Sequence, residues 1–164
     1  MKILDHKQIE QRVKRLAFEI YEQNLNAKKL VFLGINNNGF AFAEMLATML
    51  DSISEINPIL GRIRLNPADP TAVEVELEVE IKSLKAKQII LVDDVANTGR
   101  TLFYAMKPLM SYLPKQVEVA VLVDRKHKQF PIKVDYVGLS LATTLKENIK
   151  VDILKKSNRA AFLQ

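Results

Sequence analysis

Cysteine is absent from the 164-residue sequence, which excludes disulfide bonds, thiolate metal sites and cysteine nucleophiles. No apolar run approaches the ~20 residues that a membrane-spanning helix requires, so we expect no contact with a membrane. The N-terminal segment turns polar after two apolar residues, a pattern that argues against a secretory signal peptide. From these absences we expect a cytoplasmic protein.

The composition is that of an ordinary globular protein, with 48% hydrophobic and 26% charged residues. The chain is long enough for one domain with a real core, and it shows no repeat, linker or low-complexity segment. We therefore predict a single domain, 1–164. The net charge of +5 fits a polyanionic ligand or RNA, but lysines scattered over a solvated surface explain it equally well.

Short apolar strands alternate with helical patterns along the chain. The predicted elements are an N-terminal helix capped by Asp5, a strand over Leu30–Gly34, a turn over Ile35–Gly39, a buried helix over Phe40–Leu50, a helix over Thr101–Tyr112 and a strand over Val117–Asp124. This alternation predicts an α/β fold with a central, mostly parallel twisted sheet flanked by helices.

A period of two interrupts this pattern between residues 58 and 84. From Val73 to Ile81 apolar residues alternate with glutamates, which indicates a half-exposed strand. Upstream, Arg62 and Arg64 alternate with apolar residues, so a hairpin would set arginines opposite glutamates, each pair worth about 0.2–1 kcal/mol. We interpret the glutamates as structural and expect a small hood built from this hairpin, with a mobile connection at 66–71.

The stretch IILVDDVANTGRTL, residues 89–102, combines two kinds of binding group. Asp93 and Asp94 end a buried strand, although adjacent carboxylates repel each other. The turn beyond them offers backbone N–H groups, hydroxyls and the start of a helix, which together suit a phosphate, and Gly99 lets the backbone approach a ligand. Both groups lie where open α/β sheets bind ligands, beyond the carboxyl ends of the strands.

A sugar phosphate would satisfy both halves of this stretch. Its hydroxyls would donate to Asp93 and Asp94 while its phosphate occupies residues 97–101. An acidic pair that ends a loop, or a magnesium site of the kind found in receiver domains, explains the aspartates alone. Neither alternative needs the phosphate loop that follows.

Residues 89–102 resemble the phosphoribosyl pyrophosphate (PRPP) signature of type I phosphoribosyltransferases, a hydrophobic strand and an acidic pair followed by Thr-Gly-Arg/Lys-Thr. Residues 121–138, VLVDRKHKQFPIKVDYVG, are similar to the pyrimidine-operon attenuator/uracil phosphoribosyltransferase branch of that family. The N-terminal helix and the segment VFLGINNNGFAFAEMLA fit the same order. The resemblance covers nearly the whole chain and implies the type I phosphoribosyltransferase fold.

The resemblance also implies roles for individual residues. Asp93 and Asp94 would be the catalytic residues that bind the ribose hydroxyls. The 5-phosphate would be bound by Asn97, Thr98, Gly99, Arg100 and Thr101. The pyrophosphate loop, which in this family often carries a strained non-proline cis peptide, would comprise Ile35, Asn36, Asn37, Asn38 and Gly39. The base would be bound by Lys133, Tyr136 and Val137.

Mg2+ is the cofactor that the resemblance implies. The ion would arrive on the pyrophosphate of PRPP; we predict no metal site built from side chains, and Asp93 and Asp94 are the candidates for a direct contact. The partners would be PRPP and a nucleobase or nucleoside monophosphate. Family members usually assemble as dimers or larger, so we expect a homo-oligomer.

Four departures from the family bear on catalysis. The pyrimidine branch usually carries a lysine and an arginine where this chain has Asn36 and Asn38, and charge-assisted hydrogen bonds are about twice as strong as neutral ones. The hood segment, Arg64–Thr71, is short. Asn97 replaces an aspartate proposed as the general base of purine enzymes, which favours a pyrimidine. Leu139 replaces the lysine that follows Tyr-Val-Gly and leaves the choice of base open.

Two histidines and an arginine outside the motif also have expected roles. His127 matches the Arg-x-His element of the family, and we expect it to be structural at the edge of the sheet. His6 is expected to be inert on the first helical turn. Arg125 would either orient the ligand or brace a subunit contact.

Three functions are compatible with this sequence. The leading one is transfer of ribose 5-phosphate from PRPP to a nucleobase, uracil favoured and a purine possible, with release of pyrophosphate. The second is a catalytically weak sensor of nucleotide or PRPP that regulates pyrimidine genes by binding RNA. The third is a degenerate homologue that acts as a scaffold, for which the apolar helix over Phe40–Leu50 would provide an interface.

Overall fold

Apolar strands and two long helices build the frame of this protein, whose computed structural model describes all 164 residues. The elements are, in chain order, β1 (Lys2–Leu4), α1 (His6–Gln23), β2 (Lys29–Ile35), α2 (Asn36–Ile53), β3 (Asn57–Arg64), β4 (Glu76–Glu78), β5 (Gln88–Ala96), α3 (Arg100–Ala105), a 3-10 helix (Lys107–Ser111), β6 (Gln116–Arg125), β7 (Tyr136–Leu141), β8 (Ile149–Asp152) and β9 (Ala160–Leu163). None of the helices combines the length and the apolar character that crossing a bilayer would demand.

The main sheet has six strands in the order β4-β3-β2-β5-β6-β7. All of its pairs are parallel except that between β3 and β4, which confirms the predicted α/β fold with a mostly parallel sheet. A second, antiparallel sheet joins β1, β9 and β8 and thereby ties the two ends of the chain together. Because the parallel strands run the same way, the carboxyl ends of β2, β5 and β6 meet at one edge of the sheet.

Two apolar layers cover the faces of the sheet. On one face α1 and α2 pack together, and α1 buries one stripe, Ile9, Val13, Leu16, Ala17 and Ile20. On the other face lie α3, the 3-10 helix and the segment around β4. Asp5 caps α1 as expected, because its side chain accepts from Gln8 N while the Gln8 side chain accepts from Asp5 N.

The predicted turn over Ile35–Gly39 is wrong, since α2 begins at Asn36 directly after β2. Asn36 makes the sharp change of direction with φ of 52°, and the chain contains no cis peptide bond. The asparagines are therefore the first turn of a helix rather than a free loop. The predicted helix over Phe40–Leu50 is confirmed as the middle of the longer α2.

The third predicted helix is shorter than expected. α3 ends at Ala105, and the chain continues as a 3-10 helix over Lys107–Ser111. Pro108 explains the change, because proline has no N–H to donate to the carbonyl of Tyr104 and its ring collides with the preceding turn.

The hood hairpin forms with the predicted pairing but on a smaller scale. Arg62 lies opposite Glu78 and Arg64 opposite Glu76, and Arg64 Nε lies 2.6 Å from Glu78 Oε1. The backbone ladder is limited to Glu76–Glu78, although alternate apolar side chains from Val75 to Ile81 still pack onto the sheet. The alternation thus predicted which side chains are buried but overstated the length of the strand.

Gly34 is expected to be essential for the approach of α2 to the sheet. A Cβ at this position would lie 2.3 Å from Phe40 Cα and 2.5 Å from Phe40 N, which are backbone atoms of the helix. We expect Gly34→Ala to lower the free energy of unfolding by about 3 kcal/mol or more, measured by urea denaturation. Ser52→Ala on the exposed side of α2 is the control and should change it by less than about 0.5 kcal/mol. Similar values for the two variants would show that α2 shifts without cost.

Candidate active site

Asp93 and Asp94 lie where β5 loses one of its two neighbours. The ladder between β2 and β5 ends at Gly34 and Val92, whereas the ladder between β5 and β6 continues to Ala96. The strand therefore runs past both aspartates to Ala96, whereas the sequence predicted that it would end at them. A cleft opens beside them, and Asp93 is 7% exposed at its base.

The cleft consists of two adjoining cavities of about 510 and 440 Å³. Their shared lining includes Pro67, Asp93, Val95, Asn97 and Thr101. The first cavity extends along the turn at 96–102, and the second extends to the start of α2 at 35–38. The structure thus brings the predicted phosphate loop, the aspartates and the predicted pyrophosphate loop to one cleft, with Gly39 packed behind it against Val92.

The turn at 97–101 is held from outside by the segment after β6. Thr98 O accepts hydrogen bonds from Gln129 N at 2.9 Å and Phe130 N at 3.1 Å. Gly99 adopts a left-handed conformation with φ of 87°, which leads the chain into α3 and strains any other residue. This anchoring leaves the turn preorganised beside the cleft.

Arg100 does not point freely into the cleft. Its Nη2 donates to Pro67 O at 2.6 Å, so the guanidinium joins the phosphate loop to the hood connection. A ligand in this cavity would compete with a backbone carbonyl for Arg100.

The asparagines at the start of α2 are engaged with their surroundings. Asn36 Oδ1 accepts from Leu65 N at 3.1 Å, and Asn37 Oδ1 accepts from Arg62 at 3.2 Å. Asn38 Nδ2 donates to Asp94 Oδ2 at 2.9 Å and to the carbonyl of Val151 at 3.2 Å. The three side chains therefore connect the hood, β3, β8 and an aspartate of the cleft.

The two aspartates differ in their surroundings. Burial, followed by the neighbouring charge of Asp94, raises the pKa of Asp93 well above its usual range. Asp94 is half-buried and is better supplied with partners, since its Oδ1 accepts from Val95 N at 2.9 Å and its Oδ2 accepts from Asn38. The cleft thus holds a deeply buried Asp93, which accepts from Asp94 N at 2.9 Å, beside a more exposed Asp94 with two hydrogen-bond partners.

The predicted base-binding segment does not reach the cleft. Lys133 is 88% exposed, and its amine lies 3.7 Å from the carboxylate of Asp135. Tyr136 is 2% exposed beneath the end of α1, where its hydroxyl donates to Glu118 and accepts from Asn24. Val137 uses its carbonyl to accept from Arg15. None of the three predicted residues lines either cavity, and their role in binding a base stays a prediction.

Two residues that sequence analysis missed do line the cleft. Ile149, the first residue of β8, faces Asp94 and Asn38 across the second cavity, and Pro67 lies between the two cavities. Only the small sheet brings β8 to this place, through its pairing with β9. No local pattern around Ile149 signals that long-range contact.

Arg125 and the two histidines have structural contacts. Arg125 binds Thr143 Oγ1 at 2.6 Å and the Asn97 side chain at 3.3 Å, so it orients a residue of the phosphate loop. His127 Nε2 lies 3.2 Å from the carbonyl of Thr143. His6 is not inert, since its Nδ1 accepts from Arg159 N and thus fastens the C-terminal segment to α1.

Comparison with known proteins decides the family. The model of the phosphoribosyl transferase domain matches residues 1–154. The chain belongs to the phosphoribosyltransferase family. It is 34% identical over 159 residues to the "Bifunctional protein PyrR" of Clostridium novyi, covering 91% of this chain and 88% of that protein. Identity to the protein of the same name from Clostridium acetobutylicum is 36% over 159 residues, covering 93% and 89%.

Solved structures support the same fold. The hypoxanthine phosphoribosyltransferase of Trypanosoma cruzi superposes with a TM-score of 0.79 at 18% identity, covering 98% of this chain and 95% of that one. A hypoxanthine-guanine phosphoribosyltransferase from Bacillus anthracis gives a TM-score of 0.70 at 19% identity, covering 86% and 82%. The predicted type I phosphoribosyltransferase fold and the resemblance to the PyrR branch are confirmed.

Asp93→Asn is expected to stabilise this phosphoribosyltransferase. Because burial raises the pKa of Asp93 in the folded state, the stability of the wild type falls as pH rises from the unfolded value of about 3.9 through the folded value. An amide removes this loss, so we expect the free energy of unfolding at pH 7 to rise by about 0.5–2 kcal/mol. The gain should shrink toward pH 4 in thermal melts.

The matched control for this stability measurement is Asp51→Asn, an exposed position on α2. It should give no pH-dependent gain. A loss of stability in Asp93→Asn at pH 7 would show that interactions of the Asp93 carboxylate in the folded protein outweigh the free-energy cost of its burial.

Tyr136→Phe tests the predicted role of Tyr136 in binding a base. Burial raises the pKa of Tyr136 and that of Glu118, and the two groups share a hydrogen bond at 3.0 Å. Loss of the hydroxyl is expected to cost about 1 kcal/mol of stability in urea denaturation. The KM for the base should stay within twofold of the wild-type value, as for the control Tyr112→Phe. A selective rise in that KM would restore Tyr136 to the base site.

Proposed function

We propose that this family member transfers ribose 5-phosphate from PRPP to a pyrimidine base, with uracil as the preferred acceptor, and releases pyrophosphate. One observation carries the proposal: Asp93 and Asp94 lie in one cleft between the turn at 97–101 and the start of α2. A ribose placed over the aspartates would have its 5-phosphate on one side and its pyrophosphate on the other. The arrangement matches the order of the groups in PRPP.

The phosphate side would rely on the turn at 97–101. Backbone N–H groups there and the hydroxyls of Thr98 and Thr101 are suited to bind phosphate oxygens. Arg100 would exchange its bond to Pro67 O for a charge-assisted bond to the phosphate. Binding would therefore release the hood connection from the phosphate loop.

The ribose hydroxyls would donate to Asp93 and Asp94. In the reaction the bond from ribose C1 to the pyrophosphate oxygen breaks, a bond from C1 to the base nitrogen forms, and the base releases a proton. The positive charge that develops on the ribose is stabilised by nearby carboxylates. Asn38 would hold Asp94 in place through the bond between Nδ2 and Oδ2.

Magnesium fits this site as a partner of the substrate. Mg2+ is usually bound through one or two carboxylates plus substrate phosphates, and the cleft offers the two carboxylates of Asp93 and Asp94. When bound, the ion would neutralise charge on the departing pyrophosphate. Asp93 and Asp94 are the side chains that would contact it.

The base would lie near Ile149, whose apolar side chain borders the cleft on the side of Asp94. Asn97 cannot serve as a general base, because its Oδ1 accepts from Arg125 and an amide does not take up a proton near neutral pH. Purine enzymes of the family carry an aspartate at this position and the pyrimidine branch carries no acid there, so a pyrimidine acceptor is favoured.

RNA binding is a second candidate function. The net charge of +5 favours a polyanion, and relatives at 34–36% identity carry the name "Bifunctional protein PyrR". We propose that a pyrimidine nucleotide in the cleft would control this second activity, as the attenuator branch implies. Binding to RNA that persists only at low salt and ignores nucleotide would count against it.

A pyrophosphate-release assay tests the leading proposal. PRPP and magnesium are supplied with uracil, hypoxanthine, guanine, xanthine or adenine, and we expect release with uracil. Asp94→Asn should lower kcat/KM at least tenfold, because it removes a charged acceptor of the ribose hydroxyls, whereas Asp51→Asn should leave it unchanged. An unaffected rate in Asp94→Asn would remove the ribose assignment, and no release with any base would favour the RNA-binding function.

A further inference from the structure

The first turn of α2 carries no charged side chain, although the proposed function places a pyrophosphate there. Asn36 and Asn38 already use their side chains within the protein, on Leu65 N and on Asp94 with Val151 O. Asn36, like Asn37, engages only its Oδ1, but the Oδ1 of Asn37 alone accepts from a cation, Arg62. With Oδ1 turned to Arg62, the Asn37 amide group Nδ2 is free to donate to a ligand in the cleft that Asn37 lines.

Arg62 brings a positive charge to this turn from the neighbouring strand β3. Its Nη1 donates to Asn37 Oδ1 at 3.2 Å, and its guanidinium lies 4.0 Å from the centroid of the Phe40 ring. Both contacts are with residues of the first turns of α2. The guanidinium is therefore fixed beside the turn rather than extended into solvent.

No carboxylate neutralises Arg62. Glu78 lies directly opposite on β4 but binds Arg64, at 2.6 Å, and no acidic oxygen lies within 4.0 Å of the Arg62 guanidinium. The Arg62 Nε is also the one buried side-chain nitrogen or oxygen of the chain without a hydrogen-bond partner. A buried donor on a cation that lacks a hydrogen-bond partner lowers the free energy of unfolding, so its presence here calls for an explanation.

The position of the charge increases this cost. Arg62 lies beside the N-terminus of an 18-residue helix, whose backbone dipole already places positive partial charge there. The first turn has no side-chain cap that would offset this charge. Two positive contributions thus lie at the start of α2, next to Asn37, which lines the cleft, and both would attract an anion bound there.

We propose that Arg62 supplies the positive charge of the pyrophosphate subsite and acts through Asn37, whose amide it orients and polarises toward the cleft. The inference rests on the proposed function, since it assigns the cation that the proposed reaction needs at the leaving group. Arg62 is thus a positioning residue, and Asn37 is the group that touches pyrophosphate. A charge-assisted chain of this kind strengthens the terminal N–H donor.

Calorimetric titration with magnesium pyrophosphate tests this assignment directly, without turnover. We expect Arg62→Gln to lower the affinity for magnesium pyrophosphate at least tenfold while the affinity for uridine monophosphate stays within twofold. Arg62→Lys should recover the larger part of the loss, because the charge remains. The matched control is Arg64→Gln, two residues along the same strand and already paired with Glu78, which should change neither affinity.

A double-mutant cycle tests the path through Asn37. Asn37→Ala is expected to weaken magnesium pyrophosphate binding, and Arg62→Gln should add little once Asn37 is absent. Because Asn37 is exposed, the Asn37→Ala variant is expected to fold. Its pyrophosphate affinity therefore tests the proposal even if Arg62→Gln does not fold. Wild-type affinity in Asn37→Ala would overturn the path.

The outcomes separate this inference from the proposed function. Equal pyrophosphate affinity in Arg62→Gln and Arg64→Gln, with an active wild type, overturns the role of Arg62 and leaves the transferase proposal intact. A wild type that binds neither magnesium pyrophosphate nor uridine monophosphate overturns both. A tenfold loss confined to pyrophosphate, with charge-dependent recovery in Arg62→Lys, supports the assignment.

Discussion

The close approach of α2 to the sheet is the constraint on which the cleft depends. Gly34 and Gly39 remove the two side chains that would hold the helix away, since a Cβ on Gly39 would lie 2.7 Å from Val92 O. As a result the first turn of α2 sits directly beside the point where β5 leaves β2 and carries Asp93 and Asp94 onward. A wider spacing would separate Asn38 from Asp94 and open the cleft between them.

This packing places ionisable groups of both signs in a small volume. Asp93 is buried beside Asp94, and no carboxylate pairs with Arg62 beside the start of α2. Burial of the Asp93 carboxyl carries a desolvation cost, and so does the Arg62 Nε that lacks a hydrogen-bond partner. In the proposed reaction a ribose hydroxyl would add a hydrogen bond to Asp93, and pyrophosphate on Asn37 would bring an anion near Arg62.

Sequence reasoning succeeded where the signal was local and failed where it depended on distant parts of the chain. Buried strands and the α/β alternation followed from apolar runs, and the motif at 89–102 together with residues 121–138 indicated the family. The turn predicted over Ile35–Gly39 was wrong because asparagine and glycine favour turns locally, whereas packing on the sheet makes the segment helical from Asn36 onward. Ile149 had no local signal, because the pairing of β8 with β9 brings it to the cleft.

The location of the cation on β3 has a consequence for catalysis. A lysine or arginine in the first turn of α2 would bind pyrophosphate directly in both the ground state and the transition state, and such uniform binding does not raise kcat. A guanidinium held on a strand and acting through Asn37 is more rigidly placed but farther from the ligand. This arrangement would bind pyrophosphate less tightly than a direct lysine or arginine contact would. The orientation of Asn37 by Arg62 would matter most as negative charge accumulates on the departing oxygen. In the proposed reaction the asparagines in the first turn of α2 would then allow product to leave sooner, and activity would not require the two charges that α2 lacks.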